Sequence, residues 1–280
     1  MHGNAYYQHE KHTLMGEDKM KKWLLGLLTA VLAVSVLTAC GSSEESGSGS
    51  DGKKVLKMAT SADYKPFEYI DTAKSDEIIG FDVDLAKAIA GKLGYEVEVM
   101  DMDFGGLVTA VKNGQADFVM AGMTPTEERK ENVDFSDIYY TANHMIVTSK
   151  DNKIESIEDL KNKTIGVQMG SIQEEKAQEL AKTTKLTVEN RDKIPELVQE
   201  IKSERFDAAI IEDIVAQGYL DKNDDLTGFL LEEDAEEIGS AIAFKKGSEL
   251  RDQFNEELKK MKENGELEEL VLKWFGGDAE

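Results

Sequence analysis

Twice along this chain a short apolar run stops at a helix-capping sequence and turns straight into a helix. No other feature constrains the fold as much. Residues 116–120 run into Thr124-Pro125-Thr126-Glu127, and residues 164–168 run through Gly170 into Ser171-Ile172-Gln173-Glu174. In each case a hydroxyl residue at the N-cap with Glu three positions later predicts a helix that opens from the end of a strand. Pro125 suits a first helical position, where its missing N–H costs nothing.

The surrounding pattern extends this to an α/β fold. Residues 55–59 read as a strand. Phe81, Leu85, Ile89 and Leu93 then recur every four residues and predict a helix that Gly94 ends. Residues 96–99 alternate as a strand and 107–112 are helical. In the second half Ile194, Leu197, Val198 and Ile201 stripe a helix, and residues 206–211 form an almost wholly apolar strand suited to the buried centre of a sheet. Glu212 and Asp213 stand at its carboxyl end. Two stripes close the chain, Leu250, Phe254, Leu258 and Met261, then Leu267, Leu270, Val271 and Trp274. Strands alternating with helices in two successive units predict two similar lobes, each a parallel or mixed sheet flanked by helices. Open sheets of this kind bind ligands beyond the carboxyl ends of their strands, so two lobes facing across that edge would form a cleft.

The front of the chain is a separate object. Lys19, Lys21 and Lys22 precede an apolar run over residues 23–39 that stops at Cys40. A basic flank, a short apolar core and a small-residue exit predict a secretory signal peptide, too short for a membrane span. Leu37-Thr38-Ala39-Cys40 resembles the lipobox of bacterial lipoproteins, in which the cysteine carries the lipid. Residues 1–39 are therefore read as an upstream extension, with Met20 a plausible start, followed by the signal peptide. Residues 40–52 are read as a lipid-anchored, flexible Ser/Gly/acid tether. The chain holds one cysteine, so no disulfide can form within it. Its net charge of −23 repels nucleic acid and anionic headgroups, and neither is expected as a partner.

Helix N-termini present unpaired backbone N–H groups, which makes each capping sequence an anion-binding position in principle. Arg129, one turn further on, adds a planar fork suited to a carboxylate. An anion held between Arg129 and the Ser171 loop would bridge the lobes. Equally, both sequences could do no more than cap helices, with Arg129 on the surface. Tyr64 and Phe104 follow strand ends in loops and are placed to clamp a side chain, including a cation over the ring face. Phe67 is expected in the core. Residues 221–225 with Glu232 supply several oxygens of a calcium loop, but Leu226 stands where the sharp turn needs glycine. No metal or cofactor is expected.

Four separated motifs then identify a family. They are Ala62-Asp63-Tyr64-Lys65-Pro66-Phe67-Glu68, Gly80-Phe81-Asp82-Val83-Asp84-Leu85, residues 122–129 and Asp134-Phe135-Ser136. In this order and spacing they resemble the family 3 extracellular solute-binding proteins of polar amino acid ABC transporters. With Gly166-Val167-Gln168 and residues 210–213 added, the chain most resembles the arginine-binding lipoproteins of Gram-positive bacilli. The resemblance implies a two-lobed, type II periplasmic-binding-protein-like fold, with residues 53–146 plus 240–280 in one lobe and 147–239 in the other. It also implies a monomeric binding protein, not an enzyme, that hands a free L-amino acid, arginine favoured, to the membrane subunits of an ABC permease.

The residue roles come from the same resemblance. Arg129 would grip the ligand carboxylate with backbone N–H groups at Thr124 and Ile172, beside Ser171. The Gly122 carbonyl, the Thr124 hydroxyl and Glu212 would meet the α-ammonium group, Glu212 standing where many relatives have Asp. Tyr64 and Phe104 would sandwich the side chain, and Asp63, Glu68 and Gln168 are the nearest candidates for a guanidinium. Glu68 could equally be an exposed surface acid. Secreted dehydratases acting on prephenate-like acids resemble the same fold, which leaves an enzyme as the alternative, though no assured acid–base pair is visible.

Overall fold

The computed structural model describes residues 54–231 and 239–276. The leader, Cys40, the tether and Glu232 lie outside the described residues.

Strand β1 (Lys54–Thr60) turns Met58 and Ala59 into the core and enters a small antiparallel sheet of β2 (Asp63–Tyr64), β3 (Glu68–Ile70) and β4 (Ile78–Ile79). Helix α1 (Phe81–Lys92) buries Phe81, Leu85 and Ile89, the face its spacing predicts, and stops before Gly94, whose φ of 81° suits a residue without Cβ. Strand β5 (Tyr95–Asp101) pairs parallel with β1 along its whole length. A 3-10 turn, Phe104–Gly106, leads into α2 (Leu107–Lys112), then come β6 (Phe118–Val119), α3 (Glu127–Asn132) and β7 (Val133–Phe135).

After β8 (Tyr140–Thr141) and β9 (His144–Ser149) a second unit follows. It runs through β10 (Thr164–Gln168), α4 (Ile172–Thr183), β11 (Thr187–Arg191), α5 (Ile194–Lys202), β12 (Ala208–Glu212), α6 (Asp213–Leu220) and β13 (Leu226–Leu230). Strands β14 (Gly239–Ser240) and β15 (Ala243–Lys245) lead to α7 (Glu249–Asn264) and α8 (Glu266–Phe275).

Two five-stranded sheets result, ordered β5-β1-β6-β15-β7 and β11-β10-β12-β9-β13. Each has a parallel portion, and each is completed by an antiparallel strand: β15 beside β6 and β7, and β9 beside β12 and β13. Both sheets are mixed because the chain leaves the first and comes back to it. The crossing is a short ribbon, with β8 antiparallel to β14 through Thr141–Gly239 and Tyr140–Ser240. His144 to Ile146, expected at the end of the first lobe, pair with β12 of the second sheet, so the change of sheet comes before Ile146. Strand β9 is half apolar and no helix follows it, so nothing local marks where it begins.

Phe67 is fully buried, as expected, and packs edge-on against Tyr140 of the crossing ribbon at 5.2 Å. It also touches Phe275 at 5.1 Å, so the C-terminal helix, the small sheet and the ribbon share one aromatic cluster.

Candidate ligand-binding cleft

The carboxyl ends of the two parallel portions point at one narrow cavity. Its wall is built from Ser61, Tyr64, Glu68 and Phe104, then Ala121, Gly122, Thr124 and Arg129, and on the second-sheet side Gln168, Ile172 and Gln173. Eight of the eleven residues expected at a binding site are on this wall; Asp63, Ser171 and Glu212 are not.

The first capping sequence closes two residues later than its pattern predicts. The N-cap is Thr126, whose hydroxyl accepts the backbone N–H of Arg129, and not Thr124. Thr126, two residues on, offers the same hydroxyl in the extended backbone an N-cap needs (φ −80°, ψ 161°), and the helix begins after it. The shift releases the Thr124 hydroxyl from capping and leaves it on the cavity wall. It also sets Arg129 in the first helical turn, buried to 8% exposure rather than lying on the surface. The Arg129 guanidinium donates to the carbonyls of Thr124 at 2.6 Å and Gly170 at 2.9 Å, and lies 5.4 Å from the centre of the Phe104 ring. Since Gly170 belongs to the second unit, Arg129 ties the two sides together. The remaining donors of its fork can serve a carboxylate. Burial lowers its pKa to about 10, so it stays cationic at neutral pH.

The second capping sequence forms where expected. The Ser171 hydroxyl accepts the Glu174 N–H, and Glu174 reaches back to the N–H of Gly170 at 2.7 Å. Ser171 thus spends its side chain on the helix start and on the Gln168 carbonyl, which keeps it behind the wall. Gly170 holds a φ of 74°, and a Cβ there would come within 3.0 Å of the Gly105 Cα across the cleft. Gly122, with φ 55°, would likewise press a Cβ onto the Tyr64 ring at 3.0 Å.

Opposing this cation is a set of buried acids. Glu68 is 0% exposed, and the group it meets is another buried acid, Asp82, with which its carboxyl shares a side-chain hydrogen bond. The expectation that it could be a surface acid fails, because β3 folds under α1 and turns the side chain inward. Burial, then the neighbouring Asp82, pushes its pKa well above the ordinary carboxylate range. Asp82 is also fully buried; it accepts the Gly122 N–H at 3.0 Å and the Tyr139 hydroxyl at 2.7 Å. Burial raises it to about 6 against those bonds. Glu212, at the end of β12, accepts the Tyr64 hydroxyl at 3.1 Å while its other oxygen has no hydrogen-bond partner among the described residues; burial lifts it to about 8. It stands one hydrogen bond behind the wall, through Tyr64. Its neighbour Asp213 takes the side-chain N–H of Asn143 and plays no part in the cavity.

Asp63 is committed elsewhere: it accepts the Ser61 hydroxyl at 2.7 Å and the Ile194 N–H at 2.6 Å. Pattern reading passed over Gln173 and Asp82. Both lie within motifs it used, Gln173 in the first turn of α4 and Asp82 in the first turn of α1, and only folding brings them to the site.

A buried cation and a group of buried carboxyls around one small cavity can hold a zwitterion that carries further positive charge. Each charge in such a ligand would find a desolvated opposite.

Comparison with known proteins agrees in kind. Residues 56–277 match the family model of bacterial extracellular solute-binding proteins, family 3. The arginine-binding extracellular protein ArtP of Bacillus subtilis (strain 168) is 64% identical over 260 residues, 92% of this chain and 100% of its own. A solved structure of an ancestral arginine-binding protein bound to arginine superposes with a TM-score of 0.74 at 41% identity, over 79% of this chain and 99% of the other. The amino acid ABC transporter substrate-binding protein AbpA of Streptococcus pneumoniae, bound to L-arginine, gives 0.74 at 36% identity over 80% and 95%.

Proposed function

The chain belongs to the bacterial extracellular solute-binding proteins of family 3, and we propose on that footing that it captures free L-arginine between its two lobes and presents it to an ABC permease. The observation that carries the choice of ligand is Glu68. A fully buried carboxyl beside a second buried acid, on the wall of a cavity that also holds Arg129, is costly to ionise, and a guanidinium would offset that cost.

In this reading Arg129 receives the ligand carboxylate with the N–H groups of Thr124 and Ile172. Glu212, the Thr124 hydroxyl and the Gly122 carbonyl receive the α-ammonium group, the Tyr64 hydroxyl turning aside to let Glu212 reach it. Tyr64 and Phe104 flank the aliphatic stem, and Gln168 lies beside it. Glu68 takes the guanidinium, while Asp63 keeps to its interlobe contacts. The β8–β14 ribbon is the hinge between the lobes, residues 53–146 plus 240–280 and residues 147–239 apart from the few at the crossing. Ligand favours closure because it touches both.

The family places the protein outside the cytoplasm. We assign Cys40 as its lipid attachment, supported by the basic flank, apolar core and lipobox-like exit before it, and we take it to act as a monomer. Its relatives above are binding proteins, and binding without turnover is the expected activity.

A thermal-shift screen over the twenty amino acids, followed by calorimetry on the hits, tests this reading. Arginine should give the largest stabilisation. Stabilisation by glutamine or cystine with none by arginine would overturn the ligand assignment, and consumption of a prephenate-like acid would overturn the class.

A further inference from the structure

Lys193 occupies a position where helix chemistry disfavours it. It is the N-cap residue of α5, a nine-residue helix, with its backbone in extended conformation. A lysine has no side-chain acceptor for the first helical N–H groups, and its charge lies at the positive end of the helix macrodipole. Pro195 removes one donor from the first turn, and the Glu196 N–H reaches the Lys193 carbonyl at 3.2 Å. That leaves the Ile194 N–H needing an acceptor, and nothing in α5 provides one.

The acceptor comes from the other side of the cleft. Asp63, in β2 of the first lobe, accepts the Ile194 N–H at 2.6 Å and so caps α5 from the opposite lobe. The Lys193 ammonium lies among first-lobe acids: 3.2 Å from Asp101, 3.7 Å from Asp63 and 3.8 Å from Asp103. It also donates to the Ser61 hydroxyl at 3.5 Å. Asp101 is fixed in turn by the Ala62 N–H at 2.8 Å. Neither Lys193 nor these three acids line the cavity. In a chain of net charge −23, three carboxylates facing a second acidic lobe would resist approach without such a cation.

We propose that Lys193 and the α5 N-terminus form a closure latch with Asp63, Asp101 and Asp103. The latch contributes to ligand affinity without touching ligand, by satisfying in the closed form a helix start and a charge cluster that the open form leaves to water. Lys193 is thus a positioning residue, and its role rests on the hinged-capture reading above.

The expected signature separates a latch from a ligand subsite. Lys193→Ala should raise the Kd for L-arginine about tenfold, the effect of one charged cluster in a partly exposed setting. The change should appear in the dissociation rate, with the arginine-to-glutamine preference and the melting temperature of ligand-free protein unchanged. Lys193→Glu should weaken binding further, and Lys193→Arg should stay within about threefold of wild type, since it keeps the charge. Calorimetry and stopped-flow fluorescence on these variants, beside Arg129→Ala, provide the test. Loss of binding in Arg129→Ala with wild-type Kd and dissociation rate in Lys193→Ala and Lys193→Glu would overturn the latch alone. A changed ligand preference in Lys193→Ala would also overturn it, by making Lys193 part of the ligand subsite. A wild-type protein that does not bind arginine would remove the functional reading and the latch with it.

Discussion

Replacing Glu68 by Gln keeps the shape of the side chain and removes only its capacity for charge, which makes it the sharpest probe of the cleft. The side chain has no exposure to water, and its neighbour is another acid, Asp82, so solvent cannot make up the difference. A hydrogen bond to a charged group contributes about 1.5–3 kcal/mol, and a buried ion left without its partner costs about 3–5 kcal/mol. Arginine affinity should therefore fall by roughly 2–4 kcal/mol, or about 30- to 1000-fold. Citrulline, which has the same shape without the charge, should change by no more than about tenfold, a loss on the scale of a neutral hydrogen bond. The ligand-free variant should be more stable than wild type at pH 8, because the substitution removes a carboxyl whose ionisation burial opposes. Calorimetry with both ligands and thermal denaturation at pH 8 read these three effects. Arginine affinity within threefold of wild type, or an equal loss for citrulline, would show that Glu68 does not meet the guanidinium.

Arg129→Ala should cost about 2–3 kcal/mol for any free amino acid and leave the preference among them unchanged, since every ligand has the same carboxylate; calorimetry with an amino acid amide, whose affinity should change little, supplies the control. Ligand-free stability should fall as pH rises. Glu212 and Asp82 have folded-state pKa values of about 8 and about 6, above their unfolded values, so the folded protein binds more protons and loses on the order of 1.4 kcal/mol per pH unit from Asp82 between about pH 4 and 6, and the same from Glu212 between about pH 4.5 and 8. Melting temperatures across that range check the slope, and a flat profile would contradict it. Arginine binding at pH 7 should release protons, because a cationic ligand favours the ionised carboxyls; calorimetry in buffers of different ionisation enthalpy measures the number. Gly170→Ala should weaken binding by about 1–2 kcal/mol through strain at its φ of 74° and a wedge against Gly105, with slower loss on the open form seen by small-angle scattering.

The residues at the ends of strands were the legible part of the site. The capping sequences after apolar runs marked where two helices begin, because backbone chemistry at such a point depends on a few neighbouring residues, and the roles of Arg129, Thr124 and Ile172 followed from the family resemblance. The same locality explains the misplaced start at Thr124, because Thr126 two residues on offers an equivalent hydroxyl and accepts the Arg129 N–H instead. Glu68 was ambiguous for the opposite reason. Its neighbours in sequence say nothing of whether α1 will cover it, and burial is decided by residues far along the chain.

Much was therefore determined by sequence alone: the α/β class, the two repeated units, the apolar face of each helix, and the family through four spaced motifs. These depend on periodicity and on steric preferences that act over a turn or two. Only the tertiary structure decided that β9 and β15 insert antiparallel into the two sheets, since pairing partners lie scores of residues apart. It likewise decided that Asp63 turns away from the cavity to cap α5, and that Glu68, Asp82 and Glu212 gather without a cation of their own. Charges separated in sequence interact only when folding has excluded the water between them, and that is a property of the assembled cleft.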